Sequence, residues 1–190
     1  MTEFEFVFIL YALLLGLSLI EILSGLGKAI ELKFASDAGE NRFTIGWLSP
    51  LLAAFVMLDL LSFWMFAWTV QGLIKVSPLS LLIVMGFASA YYLAARLVFP
   101  TEPDWFADLD THYMRVKGVT MCILIALVGV QWAYLLTIDA IRAALLSPMS
   151  VGFTLLLVAL MTAIIFTSKR WVNMVLLVLL IGRYLLVYSL

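Results

Sequence analysis

Charge is scarce in this sequence, and so are the side chains that carry most enzymatic chemistry. Only 12% of the 190 residues are charged, against roughly 25% in a soluble domain. One histidine is present, which excludes bis-histidine haem ligation, a zinc-protease pair and a serine–histidine dyad within the membrane. One cysteine is present, so Cys122 forms no internal disulfide and belongs to no cysteine-based metal motif. It is read as a small apolar residue in an apolar run. There is no Gly-rich phosphate loop and no lysine in the middle of an apolar stretch to carry a Schiff base. The eleven Lys and Arg residues are dispersed over a chain of net charge −1, which excludes a nucleic-acid partner, because phosphate binding needs clustered cations. No cofactor is implied, and an enzymatic role is disfavoured.

What is present in abundance is apolar surface, at 65% of residues. A bilayer core of roughly 30 Å takes about 20 apolar residues per helix. The expected fold is therefore all-α and polytopic, a single transmembrane domain over residues 1–190 with six helices and the lipid bilayer as its surroundings. Helix 1 is expected over Phe6 to Ala29. Its acidic lead, Glu3 and Glu5, is the reverse of a basic signal-peptide start, so it is read as a retained helix. A polar loop follows from Glu31 to Thr44. Helix 2 starts at Ser49-Pro50, where Ser caps and Pro suits the first turn, and runs to Leu73. Helix 3 starts likewise at Ser77-Pro78 and ends near Phe99, because Pro100 and Pro103 cannot continue it. A second loop is expected from Thr101 to Lys117, then helix 4 from Gly118 to Arg142. Helix 5 runs from Ser147-Pro148 to Thr167, and helix 6 follows the basic turn Ser168-Lys169-Arg170. Consecutive helices are expected to pack antiparallel.

Lys28, Lys33, Arg42, Arg115, Lys117, Lys169 and Arg170 fall on one face and only Lys75 and Arg142 on the other. By the positive-inside rule both termini lie outside, as for a protein of a bacterial inner membrane. Leu48-Ser49-Pro50 with Phe55 recurs as Leu146-Ser147-Pro148 with Phe153 at matching places in the two halves. This allows a 3+3 inverted repeat, although Ser77-Pro78 shows the same start in helix 3.

Ionisable groups within apolar helices cost about 2.5–3.5 kcal/mol at the bilayer centre and need partners. Glu21, Asp59, Arg96, Asp139 and Arg183 qualify. Rise per residue places Asp59 and Arg183 near the midplane as expected partners, with Glu21 within reach of Arg96. Asp139 and Arg142 pair locally at i, i+3. Ser18, Glu21, Gly25 and Lys28 form one stripe, Asp59, Ser62, Phe66 and Thr69 a second, and Ser89, Tyr92 and Arg96 a third. Two functions fit such a seam. In one it is a substrate or ion path through Glu21, Asp59, Arg96, Arg183, Ser62 and Tyr92, and the protein is a small transporter or channel. In the other the charges, with Gly25, Gly27 and Gly86, only fix helix packing, and the protein is a non-transporting subunit that docks a membrane partner or forms a homo-oligomer. Asp108-x-Asp110-x-His112 has the donors of a divalent-cation site, but is read as a solvated acidic loop. Trp47, Trp105, Phe106 and Trp171 are expected as interfacial anchors, and Trp64, Trp68 and Trp132 as packing residues.

Overall fold

The computed structural model describes residues 3–37, 43–69, 71, 77–102, 106 and 108–189. Among these there are seven helices: α1 (Glu3–Asp37), α2 (Leu48–Thr69), α3 (Pro78–Leu97), α4 (Leu109–Leu135), α5 (Asp139–Leu145), α6 (Pro148–Phe166) and α7 (Arg170–Ser189). Six of them, all but α5, are long and apolar enough to cross a membrane. The chain is an all-helical, multi-pass membrane protein, in contact with the bilayer through its outward apolar faces. Leu13, Leu82, Leu155 and Leu185 are more than half exposed, as expected where lipid is the solvent.

The long helices alternate in direction. The near end of the bundle is where α1 begins; the far end is where α1, α3 and α6 stop and α2, α4 and α7 start. Sequence neighbours are not always the closest neighbours in space. The most extensive packing joins α1 to α3 and α2 to α7, each a parallel pair, so antiparallel packing of consecutive helices describes only part of the bundle. The common core contains Leu15, Ile22, Phe55, Tyr91, Leu124 and Leu177.

Three boundaries differ from the sequence reading. Helix α1 has 35 residues, about 52 Å at 1.5 Å per residue, which exceeds the hydrocarbon core. Its last turns, expected as loop from Glu31, stay helical because Ala29 is fully buried and Leu32 packs on the core. Hydropathy marks where a helix leaves lipid, not where it ends. Helix α4 begins at Leu109, inside the expected second loop, behind the N-cap Asp108. It then stops at Leu135, and Asp139 and Arg142 lie on the separate short α5. The expected end of helix 2 at Leu73, and Arg42, Lys75 and Trp105, lie outside the described residues. Ser77 and Pro78 behave as expected: the Ser77 hydroxyl accepts from the Ser80 amide in a capping box, leaving Pro at a position that needs no amide.

Candidate functional site

The polar side chains of the described bundle gather in two places, a midplane cluster around Asp59 and a layer of caps at the far end. Asp59, halfway along α2, is 2% exposed. The Tyr184 hydroxyl of α7 donates to its Oδ1. The Tyr91 hydroxyl of α3 lies 3.2 Å from its Oδ2 and 2.6 Å from the Val56 carbonyl. A phenol has one proton, so Tyr91 shares it between these acceptors or gives it to the nearer one. Tyr188 adds a bond to the Leu58 carbonyl at 2.7 Å.

Arg183 does not form the expected ion pair with Asp59. Successive helical residues point about 100° apart, and Tyr184 holds the inward direction, at 2% exposure. Arg183 is turned to the flank, with its guanidinium 4.6 Å from the Tyr184 ring centroid and 5.9 Å from that of Phe153. Its Nε is buried with no hydrogen-bond acceptor; it packs on ring faces, and its charge still acts on Asp59 without an ion-pair contact. Tyr91, Tyr184 and Tyr188 were the residues missed here. A phenol reads as interfacial or packing in a sequence, although its tip can serve a buried acid.

Glu21 meets Arg96 in a hydrogen-bonded ion pair, as expected. The Tyr92 hydroxyl lies 3.4 Å from its other oxygen, and Arg96 also donates to Thr101 at 2.9 Å. Asp139 and Arg142 pair at 2.9 Å. The stripes are less complete than their spacing suggests. Ser18 is buried and donates back to the Leu14 carbonyl, but Ser89 and Lys28 face outward. Of the three small residues, Gly25 alone permits a close approach: a Cβ there would meet Phe99 at 2.5 Å, whereas Gly27 and Gly86 face open space.

The far end is built by α4. Its N-terminal turns, read as loop, place four side chains on four helix ends. Asp108 caps α4 itself, accepting from the Thr111 amide at 2.6 Å, and Arg170 of α7 lies 3.5 Å from its other oxygen. Burial pushes the Asp108 carboxyl up, but the two Thr111 hydrogen bonds and the Arg170 charge outweigh it and hold the group below its ordinary range. Asp110 accepts from the Leu48 amide at the start of α2, at 3.0 Å. Ser49, expected as that helix's cap, instead donates to the Leu109 carbonyl at 3.0 Å. His112 Nε2 donates to the Leu97 carbonyl at the end of α3, at 3.0 Å, a bond that fixes its tautomer.

Lys117, the fourth, is 6% exposed. Its ammonium donates to the Ile164 carbonyl at 2.8 Å, to the Thr167 carbonyl, and towards Asn173 Oδ1 at 3.4 Å. The carbonyls at a helix C-terminus have no intrahelical donors and carry partial negative charge, so a buried cation there meets acceptors ready-made. Asn173 extends the group: its amide donates to the Thr167 and Lys169 carbonyls, each at 2.9 Å, and its carbonyl accepts from Tyr113 at 3.0 Å. Lys117 was read as a loop charge. Only its position near an apolar run hinted otherwise.

Asp108-x-Asp110-x-His112, read as a solvated acidic loop, instead opens α4. Each member is committed to a different backbone group, and no cluster of three metal-ligating residues occurs among the described residues. Gly46 serves the same layer, with φ +66° and its Cα against the Asp110 carboxylate. A side chain there would be strained and would displace that cap. Trp47 and Trp171 stand exposed at helix starts, in the position of interfacial anchors. Trp64 packs edge-on to Phe8, with centroids 5.8 Å apart.

A cavity of about 120 Å³ lies at the near end among α1, α2, α3 and α4. None of Glu21, Asp59, Arg96 or Arg183 lines it. No protein-family model, curated protein or solved structure matches this chain.

Proposed function

We propose that the protein is a non-transporting membrane subunit, a helical scaffold that assembles with a membrane partner or with copies of itself. The observation that supports this reading over conduction is the closure of the Asp59 cluster. Asp59 is 2% exposed, one carboxylate oxygen accepts from Tyr184 and the other lies 3.2 Å from the Tyr91 hydroxyl, and Asp59 does not line the near-end cavity. A conduction path needs groups that can exchange water for solute, whereas a satisfied dry cluster specifies one packing of its helices. The reading includes a bacterial inner membrane and both termini outside. Helix α6, with no charge between Pro148 and Phe166 and with Leu155 64% exposed, offers a contact face for a second copy.

Solvent access to the seam tests the proposal. In a Cys122→Ser background, single cysteines at Ser18 and Ser62 should resist a hydrophilic thiol reagent in native membranes and react after denaturation. Rapid labelling of both from one side, together with a solute or proton flux in proteoliposomes that Asp59→Asn abolishes, would establish a path instead. The orientation is checked by impermeant labelling in intact cells, which should mark a cysteine near Lys75 and spare the segment from Glu31 to Thr44.

A further inference from the structure

Arg183 places a cation inside the bundle with none of its hydrogen bonds made to a described residue. The Tyr184 and Phe153 rings hold its guanidinium between α7 and α6, and a ring face attracts a cation without offering it an acceptor atom. Asp59 feels its charge, yet Tyr184 donates to one carboxylate oxygen and the Tyr91 hydroxyl stands 3.2 Å from the other. Helix α6 carries no charge at all. Arg183 lies six positions before Ser189, where α7 ends, so its Cα is about 9 Å inside that end. The Cα–Cβ bond of a helical residue leans towards the helix N-terminus. In α7 that is the far end, so the stem of Arg183 starts away from the nearer headgroups.

A cation at this depth needs an acceptor, and the surface beside it leaves room for one to arrive. Gly182, next to Arg183, and Gly152, next to Phe153, are exposed, and a Cβ at either would meet nothing within 4 Å. Leu179 and Leu186, a turn to either side, are each 51% exposed. Small residues on an apolar face let a further helix approach closely. A second copy of this chain has no carboxylate to bring to this level. Its Asp59 is enclosed, its Glu21 is held by Arg96, and its Asp139 stands on α5, outside the spans, paired with Arg142. Glu31 and Asp110 stand at the far end. We propose that the α6–α7 flank binds a transmembrane helix of a different protein, one that carries an Asp or Glu in its apolar span at the level of Arg183. The carboxylate accepts a paired, bidentate contact from the guanidinium. This assignment rests on the reading of the chain as a membrane subunit and names the class of that subunit's partner.

Energy transfer between the labelled protein and a labelled Leu-Ala transmembrane peptide, co-reconstituted in phosphatidylcholine vesicles, tests this. The peptide carries one Glu about 9 Å from one end of its apolar span, with Leu or Gln in that place as controls. Wild type should bind the Glu peptide about tenfold more tightly than the Leu peptide, as expected for polar pairing between helices in hydrocarbon. Arg183→Gln should remove the preference, and Arg183→Lys, which keeps the charge, should retain part of it. Moving the Glu to the very end of the peptide should abolish the preference in wild type, a comparison that needs no variant to fold. Equal binding of the Glu and Leu peptides by wild type, or a preference that survives in Arg183→Gln, would overturn the site. A Gln peptide bound as tightly as the Glu peptide would overturn the carboxylate, and loss of the preference when phosphatidylglycerol replaces phosphatidylcholine would assign Arg183 to a lipid phosphate instead. If the peptides fail while cysteines at Ser18 and Ser62 stay protected, this partner is wrong and the subunit reading stands. Rapid labelling of those cysteines counts against the subunit reading whatever the peptides do.

Discussion

The two ends of the bundle are held by different means. At the far end polar contacts reach across the chain: Asp110 to Leu48 spans 62 positions, Lys117 to Ile164 spans 47, and Arg96 to Glu21 spans 75. At the near end the described contacts of Ser77 with Ser80, Thr137 with Tyr134 and Arg142 with Leu136 join residues three to six positions apart, while Tyr188, close to the end of α7, reaches back across 130 positions to Leu58. Local caps stabilise a single helix end. Caps supplied by another helix also fix how the two helices sit. The far end thus has several helix ends capped by other helices, while the near end retains a cavity.

The sharpest way to break this contrast is at Lys117. Lys117→Met preserves the stem and removes the donor, taking the ammonium from the buried Ile164 carbonyl at the end of α6, while the Thr167 carbonyl keeps the Asn173 amide. Hydrogen bonds to charged groups contribute roughly 1.5–3 kcal/mol each, so a loss of about 3 kcal/mol is expected, read as a drop in thermal unfolding temperature in detergent. Arg142→Met at the near end, whose partners are local and exposed, should change stability by less than about 1 kcal/mol. Similar losses from the two changes would erase the distinction.

Next is the midplane. Asp59→Leu strands the Tyr184 hydroxyl and should cost about 2 kcal/mol. Adding Tyr184→Phe should recover part of it, so a double-mutant cycle gives a coupling of about 1 kcal/mol or more. The cycle with Arg183→Gln should give a smaller coupling, since Arg183 rests on ring faces. The reverse order would restore the Asp59–Arg183 pair expected from depth alone.

Glycine separates the regions more gently. Gly25→Ala drives a methyl group into Phe99 and should destabilise by roughly 1–3 kcal/mol. Gly86→Ala, in open space, should be neutral or stabilising by up to about 1 kcal/mol through helix propensity. Unfolding of the purified variants in detergent distinguishes these outcomes.

The smallest effect is at Asp108. Its carboxyl is held below the ordinary range, so the folded state binds its proton less readily than the unfolded state, whose value is about 3.9. The stabilisation is therefore complete above that value and is lost as pH falls through the lower folded one. Asp108→Asn should be less stable than wild type by under about 1 kcal/mol at pH 7, with the gap closing below about pH 4. A gap that instead widened on acidification would contradict the capping role.

Much of this molecule follows from its sequence. Six apolar runs fix six membrane helices, because backbone groups in hydrocarbon have to bond within their own segment. Ser77-Pro78 and Ser147-Pro148 set helix starts because capping is local, and i, i+3 spacing suffices to pair Asp139 with Arg142. Depth arithmetic also brought Glu21 to Arg96, since both side chains can reach one level. It could not choose between neighbours. Whether Arg183 or Tyr184 faces Asp59 depends on the rotation of α7 against α2, which packing decides and rise per residue does not. Nor could hydropathy tell a polar loop from the polar start of a helix. Asp108, Asp110, His112 and Lys117 read as solvated until α2, α3 and α6 bring their unsatisfied backbone ends within reach. A polar residue at a membrane boundary can bond to water or to another helix, and only the tertiary structure determines which partner is there.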